Sequence, residues 1–161
     1  MRITFAPKGI IQIDDARIIY RNFSGASSKF NREGDRNFAV VIDDEEVKDA
    51  LIKEGWNVKI KPPRDDDDAP FMYLPVKIKF SEYGPKAYLN VGRPKPVPLD
   101  EESISMLDNI DIETVELDVR PYDWEINGKT GRTAYLQSIH VTQRIDRFAA
   151  RYSQDEDFLD F

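Results

Sequence analysis

Few residues in this 161-residue chain are equipped for covalent chemistry. There is one histidine, His140, set between Ile139 and Val141, and there is no cysteine. A lone histidine forms no histidine cluster for a metal, and no partner that would make it a general base can be placed. It reads as a strand histidine, half-buried or facing solvent. The lack of cysteine excludes disulfides, thiolate zinc sites and cysteine nucleophiles, and accords with a reducing compartment. Neither a phosphate loop of the form G-x-x-x-x-G-K-[ST] nor a G-x-S-x-G elbow occurs. Asp65-Asp66-Asp67-Asp68 offers carboxylates to a hard cation, but consecutive aspartates lack the spaced ligands and the glycine of a calcium loop. A solvated loop is the better reading. Asp118 with Asp123, or Glu113 with Glu116, are carboxylates that a two-metal nuclease would use. Nothing in their spacing singles them out. The expectation is a protein that is not an enzyme, with no metal and no cofactor.

The residue types for binding are better represented. A single nucleic-acid strand needs cations for its phosphates and exposed ring faces for its bases. Lys59 and Lys61 alternate on one run, and Lys77 and Lys79 on another. Tyr73, Tyr88, Tyr122 and Trp124 lie close to them in sequence. The polar stretch from Lys29 to Asn37 carries Lys29, Arg32 and Arg36 around Phe30. Arg93 and Arg120 stand beside prolines, and Lys129 and Arg132 flank a turn. The plainer reading of alternating lysines is a solvated sheet face. Trp56 shares a face with Val58 and Ile60 and reads as core. Tyr122 and Trp124 follow Pro121, where the alternation breaks, and both core and surface fit them.

The overall charge of −7 runs against a polyanionic partner, but its distribution does not. Residues 153–161 hold four acids and no base; without them, 23 bases face 26 acids. Without Asp65–Asp68 as well, the balance is +1. Asp43-Asp44-Glu45-Glu46 opens a helix, where negative charge suits the dipole. The acids come in blocks while the bases are spread along strands.

The elements that must hold these residues are mostly strands. Residues 10–23 read as a strand bent near Asp14-Asp15, followed by a long polar loop to Asn37 and a strand over 37–42. Asp43 or Asp44 caps a helix over 45–54 that Gly55 ends. Residues 56–61 alternate as a strand that Pro62-Pro63 stops. Residues 71–80 repeat the pattern, with Val76, Ile78 and Phe80 inward and Lys77 and Lys79 outward; Pro75 suggests an edge or a bulge. A turn at Tyr83-Gly84-Pro85 leads to a short strand over 87–91. The proline-rich 92–98 stretch stays extended. Residues 103–110 form a helical turn capped by Asp100 or Ser103. Residues 113–126 and 132–144 form a hairpin around Asn127-Gly128, whose return strand carries Tyr135, Ile139 and Val141 as its large residues. Residues 147–152 are a tether.

Six or seven strands, one or two short helices and no βαβ repeat favour a mainly β chain. An OB-fold-like antiparallel five-stranded Greek-key barrel with added hairpins fits this count. The boundaries expected are a nucleic-acid-binding domain over 1–152 and a disordered acidic C-terminal tail over 153–161. No run of about 18 apolar residues occurs, so no membrane span and no signal peptide are expected. The expected location is cytoplasmic.

The tail, Ser153 to Phe161, mixes four acids with Phe158, Leu159 and Phe161. It is too short and too repulsive to make its own core. Asp155, Glu156, Asp157, Phe158, Asp160 and Phe161 read as a peptide kept free for a partner. The same residues mimic nucleic acid well enough to lie in a basic groove.

Asn22-Phe23-Ser24-Gly25, the run Phe30 to Phe38, Gly55-Trp56-Asn57-Val58-Lys59, Arg120-Pro121-Tyr122-Asp123-Trp124 with Gly128-Lys129, and the tail carry a resemblance. Together they resemble the single-stranded DNA-binding proteins of phages, over most of residues 17–144. The resemblance implies an OB fold, sequence-independent binding of single-stranded DNA in replication or recombination, and a tail that competes with DNA and recruits partner proteins. A homodimer is compatible with it. The tail departs from the bacterial form, which ends in Ile-Pro-Phe, because Asp160-Phe161 has no such proline. Two other readings stand beside this one: a virion or assembly β-protein with no nucleic-acid role, and a magnesium-dependent nuclease.

Overall fold

The computed structural model describes residues 1–145. The tether at 147–152, the tail at 153–161 and the domain boundary between them lie outside the described residues. Strands β1 (Arg2–Phe5), β2 (Ile11–Asp14), β3 (Ile18–Asn22) and β4 (Arg36–Ile42) precede helix α1 (Glu45–Lys53). Then come β5 (Lys59–Lys61), β6 (Phe71–Ile78), β7 (Lys86–Asn90), β8 (Val97–Leu99), a 3₁₀ turn over Ile104–Asp108, β9 (Ile112–Ile126) and β10 (Lys129–Gln143).

The sheet runs β1-β2-β9-β10-β6-β4-β3. Its β2 and β3 ends are two halves of one bent segment. Asp15, at φ 52°, makes the bend. Immediately after it Ala16 N–H bonds the carbonyl of Val115 at 2.9 Å, continuing β2's pairing with β9. One residue further, Val41 N–H bonds the carbonyl of Arg17 at 2.9 Å, next to β3's pairing with β4. The path therefore returns on itself, and the bent segment, β4, β6, β10 and β9 make a five-strand OB-like circuit. The expected bend near Asp14-Asp15 is what closes it. The sheet is mixed rather than wholly antiparallel, because β10 lies parallel to both β6 and β7.

Period-two alternation fills the interior. Val115, Leu117 and Val119 of β9, Met72, Leu74, Val76 and Ile78 of β6, and Phe38, Val40 and Ile42 of β4 are all buried. Phe23 stacks on Phe38 at 5.1 Å between centroids. Burying such side chains contributes roughly 1.5–3 kcal/mol each. Phe80, expected inward, is half-buried at the end of this row. Asp44 caps α1 by accepting from Glu46 N–H at 2.8 Å, and Leu51 anchors the helix in the core. The later helical turn is held by Asp100, whose carboxylate accepts from Ser103 N–H and Oγ at 2.9 Å each.

Two expectations change. Ile60 is 48% exposed rather than inward with Trp56, because β5 is a short edge that pairs only with the start of β6. Pro75 is neither at an edge nor at a bulge. It faces Ala39 on one side, and on the other it falls between the part of β6 paired with β5 and the part paired with β10. A proline fits where no rung is due. Among the large residues of the return strand, Ile139 and Val141 are buried, while a register shift between Leu136 and Ser138 turns Tyr135 outward. β1, which the sequence reading had not separated, extends the sheet beyond β2.

Candidate nucleic-acid interface

Pro121 marks where the β9–β10 hairpin leaves the core. Beyond it Tyr122 is 54% exposed and Trp124 37%, so both belong to the surface. Asn127 and Gly128, both at positive φ, make the tight turn that keeps the arm in register. Directly opposed residues share a face. The pairs Arg120–Tyr135, Tyr122–Thr133 and Trp124–Gly131 therefore form a ladder up one side of the arm. The Arg120 guanidinium stands 5.0 Å from the Tyr135 ring, and Tyr122 meets that ring edge-on at 5.9 Å. Trp124 Nε1 donates to Thr133 Oγ1 at 3.1 Å. Its indole lies against the backbone of Gly131 so closely that any Cβ there would overlap the ring. A ring seated in this way loses little rotamer entropy when something stacks on it.

Tyr135 is opposite Lys77 of β6. From there the face continues to Lys79, and back through Pro75 to Tyr73. Three concavities share these residues. One of about 740 Å³ runs from Tyr20, Phe30 and Arg32 past Arg36, Tyr73, Lys77 and Lys79 to Tyr135. A second, of about 650 Å³, joins Lys59, Pro75 and Lys77 to Trp56, Trp124 and Arg132. A third, of about 560 Å³, continues from Lys79 to Lys86 and Arg120. Eight bases and one acid, Asp35, line the three together. An acidic chain thus holds a groove of the opposite sign. Lys59, Lys77 and Lys79 make no ion pair with any described residue.

The side wall is the loop between β3 and β4, ordered by its asparagines. Asn22 Oδ1 accepts from Ala26 N–H at 2.8 Å, and Gly34 N–H reaches the carbonyl of Gly25 at 2.8 Å. Asn31 Nδ2 donates to the carbonyls of Ala26, Arg32 and Asp35 at 2.8–3.1 Å, while its Oδ1 accepts from Asn37 at 2.9 Å. Asp108 accepts from the N–H groups of Phe23 and Ser24. This network presents Phe30 at the apex of a tight turn, 92% exposed, with the Lys29 ammonium 5.8 Å from its ring.

The arginines are committed differently. Arg132 Nε and Nη2 donate to Asp123 at 2.7 and 3.2 Å, and its guanidinium covers the Trp56 ring at 5.4 Å. Hydrogen bonding from Arg132 holds the Asp123 carboxyl below the usual aspartate range. Trp56 is core, as its pattern indicated. Arg36 donates to the carbonyl of Phe23 at 3.0 Å and lies over Phe80. Arg32 is 3.8 Å from Asp35. The Lys61 ammonium donates to Tyr20 Oη at 3.2 Å, which raises its pKa above the ordinary value.

Of the residues singled out in the sequence, the groove brings together Phe30, Arg32, Arg36, Lys59, Tyr73, Lys77, Lys79, Arg120, Trp124 and Arg132. Lys29, Lys61 and Tyr122 touch its rings. Tyr88 on β7, Arg93 in the turn after it and Lys129 at the hairpin tip lie outside its lining. Tyr20, Lys86 and Tyr135 were missed. The bulge at Leu136–Ser138 hid Tyr135, and Tyr20 sits within the 10–23 segment, which reads simply as a bent strand.

A family model described as "Putative phage ssDNA-binding domain" matches residues 3–160. No curated protein matches the chain. The single-stranded DNA-binding protein from bacteriophage Enc34 has a similar fold, with a TM-score of 0.56 at 13% identity over 92% of this chain and 93% of that one. The same protein in complex with ssDNA aligns with a TM-score of 0.53 at 14% identity, over 91% of this chain and 93% of that one.

Proposed function

This chain belongs to the phage ssDNA-binding domain family, and on that footing we propose that it binds single-stranded DNA without sequence preference in the groove across β9, β10, β6 and β4. The observation that carries the reading is the groove's lining of eight bases and one acid in a chain of net charge −7. Lysines without ion-pair partners take phosphates as point charges, and this term falls with salt. Phe30, Trp124 and the Tyr122–Tyr135 pair offer ring faces that accept any base, at roughly 1–3 kcal/mol per stacked base. No base-edge code is needed, so the protein acts by covering a strand and performs no catalysis. It works in the cytoplasm of the infected host cell.

The acidic segment from Asp155 to Phe161 has the charge to compete with DNA for this groove. When displaced it would be free to recruit replication or recombination proteins through Phe158 and Phe161. The test is fluorescence anisotropy of a labelled oligo-dT at low and moderate salt, with the full chain and with residues 153–161 deleted. Micromolar or tighter binding that weakens with salt supports the reading; no binding at low salt overturns it. Deletion tightens binding if the tail competes, and leaves it unchanged or weaker if it does not.

A further inference from the structure

Tyr20 stands in the left-handed region of backbone space, at φ 53°. For a bulky side chain this is a genuine outlier, and such strain persists where the surroundings impose it. The pairing of β3 with β4 slips between Ile19 and Asn22, so Tyr20 sits on a bulge, a device that re-aims a side chain. The ring itself adds nothing to the core, because it ends 55% exposed on the groove wall. There it meets Tyr73 edge-on at 5.5 Å, and its hydroxyl accepts from Lys61 at 3.2 Å. The Lys61 ammonium lies 5.3 and 5.6 Å from the two ring centroids.

We infer that Tyr20 is a base-stacking residue and that Lys61, held on its hydroxyl, contacts the adjoining phosphate. Together they take one nucleotide of a single strand. This deepens the binding reading above and rests on it. Tyr20 is on β3 and Trp124 is on β9, with β4, β6 and β10 between them. A strand touching both rings crosses the sheet rather than following one β-strand.

The test compares Tyr20→Ala, Tyr20→Gly and Tyr20→Phe with the full-length wild type, by anisotropy of labelled oligo-dT and by thermal unfolding. Loss of the ring weakens binding about 5- to 150-fold in both Ala and Gly variants. Tyr20→Phe keeps the ring and stays much closer to wild type. Tyr20→Gly relieves the backbone, so it melts no lower than Tyr20→Ala while binding as weakly. A ring with a purely structural role gives the reverse: lower melting temperatures and unchanged affinity. Lys61→Gln should flatten the dependence of log K on log salt by about 0.7. If wild type binds and Trp124→Ala weakens binding while Tyr20→Ala and Tyr20→Gly match wild type, this inference fails alone. If wild type itself does not bind, the underlying function fails.

Discussion

The indole of Trp124 rests on the backbone of Gly131, its directly opposed neighbour across the hairpin. The glycine has room for no side chain because the ring occupies it. An exposed aromatic is thereby held at a fixed height on an arm outside the core.

Gly131→Ala must dislodge that ring. It should weaken oligo-dT binding nearly as much as Trp124→Ala, for which the loss of one stacked base predicts about 1–3 kcal/mol. Wild-type affinity in Gly131→Ala, or an unshifted Trp emission spectrum, would show that the ring's seat is irrelevant to binding.

Lys77 at the end of β6 and Lys79 just beyond it line the groove without ion-pair partners among the described residues. Each replaced by Gln should lower the steepness of log K against log salt by about 0.7, and the two together by about twice that. Unfolding temperatures should barely move, because exposed substitutions usually stay within about 0.5 kcal/mol. A salt slope equal to that of wild type in the double variant would remove both lysines from the interface.

Phe30 is 92% exposed on a loop tied by Asn22, Asn31 and Asn37. Phe30→Ala should leave stability within about 0.5 kcal/mol, yet weaken single-strand binding by about 1 kcal/mol or more. Asn31→Ala should reach a similar binding defect by a different route, with a measurable loss of stability, because it frees the loop's carbonyls. Calorimetric unfolding alongside anisotropy separates the two.

Asp123 has its carboxyl held below the ordinary range by Arg132. A depressed folded-state pKa gives stability that is present above the unfolded value and is lost as pH falls through the folded one. The wild type should therefore melt above Asp123→Asn at neutral pH. The gap should close as pH drops below about 4, the ordinary aspartate value. A gap that persists undiminished at the acid end would assign the effect to packing of Arg132 on Trp56 instead.

Much of this was legible from residue order, for identifiable reasons. Alternation around Val115, Leu117 and Val119, the Asn127-Gly128 turn and the Asp44 cap are local signals, and the structure keeps them. Lys77 and Lys79 follow from the same period-two rule. What escaped depends on breaks in that rule. The bulge after Leu136 reversed the face of Tyr135, and the left-handed backbone at Tyr20, which no period-two pattern announces, set that ring on the groove wall. Charge counting could not see that Asp123 engages Arg132 across the hairpin, or that Arg36 is spent on the carbonyl of Phe23. The parallel contact of β10 with β6 joins segments far apart in sequence, where no spacing announces it.

The bend at Asp15 has a consequence for crowding. By feeding one segment into both ends of the circuit, it leaves few backbone edges able to capture another chain. Apart from the hairpin arm beyond Pro121, whose outer edges pair with no other named strand, the edges that remain among the described residues are short: β1 with four residues, β5 and β8 with three each. They carry Arg2, Lys59, Lys61 and Pro98, residues that discourage strand addition. The 3₁₀ turn covers β3, with Arg21 bonded to the carbonyls of Leu107 and Ile110 at 2.8 Å. Away from the arm, copies lined up shoulder to shoulder would thus meet through side chains.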